Sequence, residues 1–133
     1  MEILAFGVSP THTFVHNALT DTTYVIRLVA SSAFGCVDTV YDTVSVRGNP
    51  VAAFTSDATL DCAPLLVNFT DNSTGAISWL WDFGDTTGST VQNPSKTFDN
   101  QTQFITNYTV NLIVTAPNGC VDKAQEVVTV YPE

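Results

Sequence analysis

Basic side chains are scarce in this sequence. Lys and Arg together number 4 in 133 residues, against 13 Asp and Glu, for a formal net charge of −9. Polyanions are recognised by clustered Lys and Arg, so this deficit argues against nucleic acid and against anionic membrane surfaces as partners. Long apolar runs are lacking too. No stretch approaches the ~18–20 apolar residues that a membrane-crossing helix requires, and no membrane insertion is expected. Apolar stripes at helical spacing are missing, which excludes a helical bundle. The opening Met-Glu-Ile-Leu-Ala-Phe-Gly has neither the positive stretch nor the cleavage site of a secretion signal. Met1 is therefore read as the start of a fragment, with any export signal lying upstream.

What the chain does have is an internal copy. Residues 10–46 reappear as residues 94–130 without a gap. Pro10 matches Pro94, Thr13-Phe14 matches Thr97-Phe98, Tyr24 matches Tyr108, and Gly35-Cys36-Val37-Asp38 matches Gly119-Cys120-Val121-Asp122. The constant offset between the copies is 84 residues, and a period of about that length is the size of one small β domain in a tandem array. Charge is unevenly shared between the copies: residues 1–49 carry four acids and two bases, residues 50–133 nine acids and two bases. Acidity of this kind serves solubility or cation binding, solubility being the default.

Short alternating runs bounded by turn residues read as strands. One opens at Val51-Ala52-Ala53-Phe54 after Asn49-Pro50, and Leu65–Asp71 is a second. A third, Ile77–Phe83, places Trp79, Trp81 and Phe83 on one face, since side chains alternate along a strand. The last three are expected in both copies. Lys96-Thr97-Phe98 is mirrored by His12-Thr13-Phe14, a long strand around Tyr108–Val114 by Tyr24–Ala30, and Ala124–Val130 by Val40–Val46. About seven short strands at this spacing imply an all-β, immunoglobulin-like two-sheet sandwich.

The run Trp79-Leu80-Trp81-Asp82-Phe83-Gly84-Asp85 resembles the signature of the PKD (polycystic kidney disease) domain family. The resemblance continues through Pro94, Lys96-Thr97-Phe98 and Tyr108-Thr109-Val110-Asn111-Leu112-Ile113-Val114, and again through Pro10, His12-Thr13-Phe14 and Tyr24-Val25-Ile26-Arg27-Leu28. It covers residues 51–131 as a whole domain and 8–48 as the second half of one. Two positions depart from the family pattern: Thr86 stands where a Gly is usual, and Lys96 where a His is usual. The resemblance implies tandem repeats of a bacterial extracellular surface protein, each repeat a non-catalytic sandwich. Such modules act as stalks, adhesion segments or accessory parts of secreted hydrolases, contacting protein or carbohydrate. Within it Trp81 takes the place of the sandwich-core Trp, and Tyr108 and Tyr24 match the tyrosine-corner position.

In a sandwich of this kind we expect Cys62 and Cys120 to lie at one end and, in an exported protein, to form a disulfide closing a long loop, worth roughly 4 kcal/mol on a chain-entropy estimate. Two free buried thiols are the alternative expected of a cytosolic protein. Cys36, the counterpart of Cys120, is left unpaired in this window because its expected partner precedes Met1; an interchain bridge or a reactive thiol are the other readings.

The remaining candidates read as structural. His12 and His16 are four residues apart, but their counterparts are Lys96 and Asn100, so a metal role is disfavoured. Asp82 and Asp85 form no acid/base pair, which needs a cleft and separated pKa values; their carboxylates suit a strand-ending turn. The Asp-Phe-Gly string is not that of a kinase, because no Gly-rich loop or catalytic Asp accompanies it. Calcium is the one cofactor considered, with Asp57, Asp61 and Asp99 as ligands, yet no fixed-order ligand loop is present and a solvated acidic face is preferred. Sequons at Asn68, Asn72, Asn100 and Asn107 mark surface-capable loops at best. Asp-Thr steps make Thr22, Thr39, Thr43 and Thr86 candidate O-glycosylation positions.

Residues 1–49 thus contain only the last three strands of a sandwich, residues 50–133 a complete one. The face of Tyr24, Ile26 and Leu28 needs a cover: a half lying upstream, which is preferred, a neighbouring chain adding strands and building a fibre, or loose packing. The functional expectation is a non-catalytic stalk, spacer and adhesion segment of a surface or filament protein, its repeats joined by a stiff Gly48-Asn49-Pro50 linker. Its partners are neighbouring repeats and a glycan or surface-protein ligand. The alternative is an accessory carbohydrate- or protein-binding module of a secreted hydrolase. No nucleophile, base and orienting group can be assembled, so no enzyme is expected.

Overall fold

The computed structural model describes residues 5–16 and 18–133. The chain divides into two compact units, Met1–Gly48 and Asn49–Glu133. In the first, β1 (Thr22–Ser31) and β2 (Val37–Val46) form a two-stranded antiparallel sheet. The second holds β3 (Phe54–Ser56), β4 (Leu60–Cys62), β5 (Leu65–Asp71), β6 (Ser78–Asp82), β7 (Gly88–Ser89), β8 (Ser95–Phe98), β9 (Thr106–Thr115) and β10 (Val121–Tyr131). Five of these make one sheet in the order β4-β10-β9-β6-β7, and three make the other in the order β3-β5-β8. No helix among the described residues is long and apolar enough to cross a membrane.

The alternation of the sequence explains this sandwich. Along β5, Leu65, Val67 and Phe69 are buried while Leu66, Asn68 and Thr70 are exposed. Along β9, Val110, Leu112 and Val114 turn inward with no exposed surface. Side chains from both sheets meet in one core comprising Val67, Phe69, Trp81, Phe98, Val128 and Val130 among others. Each large side chain buried there contributes about 1.5–3 kcal/mol against the exposed state. Aromatic rings fill the centre: Phe54 lies 5.0 Å from Trp81, and Phe69 lies 5.4 Å from it. These separations suit edge-to-face and offset packing.

Two expectations are corrected here, and two strands are added that none foresaw. The first strand begins at Phe54, not Val51; Val51 makes only an isolated bridge to Thr74. The three-residue β4 and two-residue β7 had no legible pattern, being defined by their pairing to β10 and β6. His12-Thr13-Phe14 is not a strand, although its counterpart Ser95–Phe98 is. The reason is the partner: β8 is held by β5, with Leu65 opposite Phe98, and no equivalent of β5 faces residues 11–14 among the described residues.

The expected Cys62–Cys120 bridge is also overturned. Both thiols are free, as is Cys36. Cys62 pairs with Tyr131 at the far end of β10, whereas Cys120 immediately precedes Val121 at its beginning. At ~3.3 Å per residue, the ten steps of β10 separate the two by roughly 30 Å, far beyond the ~7 Å Cα limit for a disulfide. The turns they occupy lie at opposite ends of the sandwich, not the same end.

Candidate functional site: the tryptophan strand and its aspartate turn

β6 places Trp79, Trp81 and Asp82 of the signature in the five-stranded sheet, between β9 and β7. It pairs with β9 so that Trp81 stands opposite Leu112 and Trp79 opposite Val114. Trp81 and Phe83 are buried, and Trp79 is half-buried on the same face. The indole N–H of Trp79 donates to Asp71 Oδ2 at 2.7 Å. The Trp81 indole N–H is buried without a partner, so this ring sits in the core through shape and apolar contact. Neither ring forms an open platform for a sugar.

Beyond Asp82 the chain turns sharply, and the carboxylates hold the turn. Asp82 accepts the Gly84 N–H at 2.9 Å, Asp85 accepts the Thr87 N–H at 3.0 Å, and the Phe83 N–H donates to the Thr87 carbonyl at 3.0 Å. Gly84 has φ 76°, and a Cβ built on it would stand 2.7 Å from the Thr109 carbonyl oxygen. Only glycine fits that place. Thr86 has φ 71°, a left-handed conformation without glycine's freedom, which accounts for the Gly usual at this position. Lys96 reaches across to this turn, with Nζ 2.7 Å from Asp85 Oδ2 and 2.8 Å from Thr87 Oγ1, and lies over the ring of Phe83 at 5.8 Å.

The electrostatics match this fastening role. Burial pushes the Asp85 carboxyl up, but the bonds and charge of Lys96 and Thr87 outweigh it and hold the group below its ordinary value. Burial likewise raises Asp71, and the hydrogen bonds from Ser73, Gln92 and Trp79 reverse it. Asp57 is lowered by the Asn68 side chain and the Asn68 N–H, at 2.7 and 2.8 Å. These ionised carboxylates are occupied with N–H donors, an arrangement that locks loops rather than moves protons.

The other predicted positions are scattered. Asp61 accepts the Cys62 N–H, and the Asp99 carbonyl accepts the Tyr108 hydroxyl at 2.7 Å, the bond expected of a tyrosine corner. Asp57, Asp61 and Asp99 do not converge: among the described residues no three or more His, Cys, Asp or Glu side chains are grouped to hold a metal ion. They do not fit a calcium site. His12 packs edge-on against Phe14 at 4.7 Å, and His16 Nε2 contacts the Thr20 carbonyl at 2.6 Å. Each therefore has a packing role in its own segment. Thr39, Thr43 and Thr86 are exposed and Thr22 is half-buried. Asn100, read from sequence as a sequon, is 2 % exposed. Its amide donates to the Phe104 and Val130 carbonyls, so it ties the β8–β9 connection to β10.

Sequence reasoning missed two fastenings between the front strands and the final hairpin. Asp122 Oδ2 accepts the Ala52 N–H at 2.8 Å, and Ser56 Oγ donates to Glu126 Oε2 at 2.6 Å. The only available signal was that acids sit at inward-facing positions of an otherwise apolar strand pattern.

The profile of the PKD domain family matches residues 47–130. Among solved structures, the chain is similar to the PKD1 domain of the Vibrio cholerae metalloprotease PrtV, at 30% identity and a TM-score of 0.53, covering 62% of this chain and 98% of that one. The PKD1 domain of Vibrio anguillarum Epp is 28% identical with a TM-score of 0.52, covering 64% and 96%. A third similar structure comes from work on the promiscuous specificity of carbohydrate-binding modules of the β-sandwich superfamily, at 26% identity and a TM-score of 0.56. That match covers 63% of this chain and 35% of the other. Comparison with curated proteins returned no match.

Proposed function

Because the chain belongs to the PKD domain family, we propose that it is a non-catalytic repeat module acting as spacer and adhesion segment of an extracellular surface protein. The observation that carries this reading is the internal copy, residues 10–46 recurring as residues 94–130, which we read as the second half of one module ahead of a complete module. Repetition favours reach and multivalency over a single pocket. In such an array each module contacts a glycan or surface protein weakly, and linkage raises avidity by roughly 10²–10⁴ without any new contact. The Gly48-Asn49-Pro50 junction contributes stiffness, since proline restricts φ and the residue before it. Asp82, Asp85 and Lys96 serve this role by locking the turn next to the core tryptophan.

A second reading, an accessory module of a secreted hydrolase, is favoured by the metalloprotease origin of one similar domain and by the carbohydrate-binding context of another. A glycan and matrix-protein array probed with this chain and with a tandem multimer separates the two. The spacer reading expects no saturable binding by the single chain and binding only by the multimer. Micromolar binding of the single chain to one polysaccharide or one matrix protein would replace it with the accessory role.

A further inference from the structure

The hairpin β1–β2 presents a bare apolar face. Ile26 is 40% exposed and Leu28 58%, while their counterparts in β9, Val110 and Leu112, are 0% exposed. Nothing about the hairpin itself accounts for this difference. Tyr24 stands opposite Val44 as Tyr108 stands opposite Val128, and Ile26 opposite Asp42 as Val110 opposite Glu126. The hairpin turns match too: Ser32 N–H bonds the Cys36 carbonyl at 2.8 Å, and Ala116 N–H the Cys120 carbonyl at 2.8 Å.

In the complete unit the cover comes from one stretch of chain. Trp81 and Trp79 of β6 pair alongside Leu112 and Val114, β4 adds in parallel to β10, and β5 closes the opposite side of the core. The same stretch supplies the donors to Asp122 and Glu126, from Ala52 and Ser56. Asp38 and Asp42 occupy these two positions in the hairpin β1–β2. All of these covering groups lie within residues 49–84.

The strap that links such a segment to the hairpin is already built. Phe14 stacks on Tyr24 at 5.1 Å and 40°, as Phe98 does on Tyr108 at 5.0 Å and 39°. His16 Nε2 meets the Thr20 carbonyl where Asn100 Nδ2 meets the Phe104 carbonyl. A second copy of the whole chain is a poor occupant. It brings two hairpins for its single 49–84 segment, so any exchange of strands bares one face for each face it fills.

We propose that the face of β1–β2 bearing Ile26 and Leu28 is a docking surface for a further copy of the 49–84 segment, joined in cis ahead of the strap. Its β6 adds to the edge of β1 that no strand pairs among the described residues, its tryptophans cover Leu28 and Ala30, and its Ala52 and Ser56 equivalents donate to Asp38 and Asp42. This holds for a spacer and for an accessory module alike, so it fails independently of the ligand array.

The test lengthens the full chain by a copy of residues 49–84 placed before Met1 and follows backbone amide exchange. The expected result is that β1 amides slow by roughly two orders of magnitude or more, approaching those of β9, because global protection replaces local opening. The added tryptophans should emit as buried indoles. Leu28→Asp in the lengthened chain should abolish both effects while β9, an internal control in the separate unit, stays protected. Unchanged β1 exchange beside a protected β9 overturns the proposal. So does protection of β1 in the unlengthened chain on raising its concentration, which would make the occupant a second copy.

Discussion

The hairpins β1–β2 and β9–β10 pair their strands in one register and close with one turn, Gly35 at φ 83° and Gly119 at φ 84°. They differ in surroundings. Val128 and Val130 are fully buried, whereas their counterparts Val44 and Val46 are half-buried and Val40 is 59% exposed. Hairpin geometry is thus a local property: alternation, cross-strand pairs and a five-residue glycine turn specify it without help. Stability is not local. A two-stranded hairpin alone is marginal in water, and only strands from the rest of the sandwich convert the same side chains into a core.

The sharpest way to break the comparison is a matched truncation. Leu112→Ala should cost about 2–5 kcal/mol because it empties a fully buried site. Leu28→Ala should stay within about 0.5 kcal/mol on the same denaturant transition followed by tryptophan fluorescence. Both tryptophans lie in the second unit, so the signal reports that unit. Equal costs would mean that Leu28 unfolds in the same cooperative transition as Leu112. Gly84→Ala comes next, at about 3 kcal/mol, since it combines a positive φ with a backbone clash at Thr109. Gly119→Ala, with the same sign of φ but open space around it, should cost only about 1–2 kcal/mol. A reversed order would show that the aspartate turn yields where the hairpin turn does not.

Relief of strain runs the other way. Thr86→Gly should raise the stability of the second unit by up to about 1 kcal/mol, read as a higher denaturation midpoint with unchanged slope. The carboxylates give a pH signature for the same unit. Asp71 and Asp85 are held below their ordinary value of 3.8 when folded, so their stabilisation is complete above that pH and is lost as pH falls through the folded values. Midpoints measured between pH 7 and pH 2.5 should drop at the acid end, and Asp85→Asn should flatten part of that drop. The smallest effect belongs to the thiols. Cys62→Ser should shift the transition by less than about 0.5 kcal/mol, because Cys62 is exposed and unbonded. Thiol titration of the denatured chain without reductant should count all three cysteines; a count of one would restore the disulfide.

Much of the fold was legible. The alternation in Leu65–Asp71 and Thr106–Thr115 names which side chains face the core, and the Trp-Asp-Phe-Gly-Asp run marks the tryptophan strand β6 and its turn. The errors have physical causes. β4 and β7 are too short for a periodic signal and exist because β10 and β6 offer edges to pair with. Cys62 and Cys120 looked close only because the end of the sandwich at which each turn lies is a matter of strand direction, which a residue pattern does not state. Asn100 looked like a surface sequon, but its amide is buried and bonds the Phe104 and Val130 carbonyls. The Lys96–Asp85 pair joins residues eleven apart through a turn whose path is not written in any spacing.

By itself, the sequence determined what short-range forces decide: strand periodicity, the two identical hairpin registers, the glycine turns and the all-β class. Only the tertiary structure decided which of two like hairpins becomes a core. His12-Thr13-Phe14 stays irregular where Lys96-Thr97-Phe98 is a strand, and Leu28 stays in water where Leu112 is dry. The physical reason is that strand pairing and apolar burial are shared between segments, so a side chain's environment is set by what lies across from it.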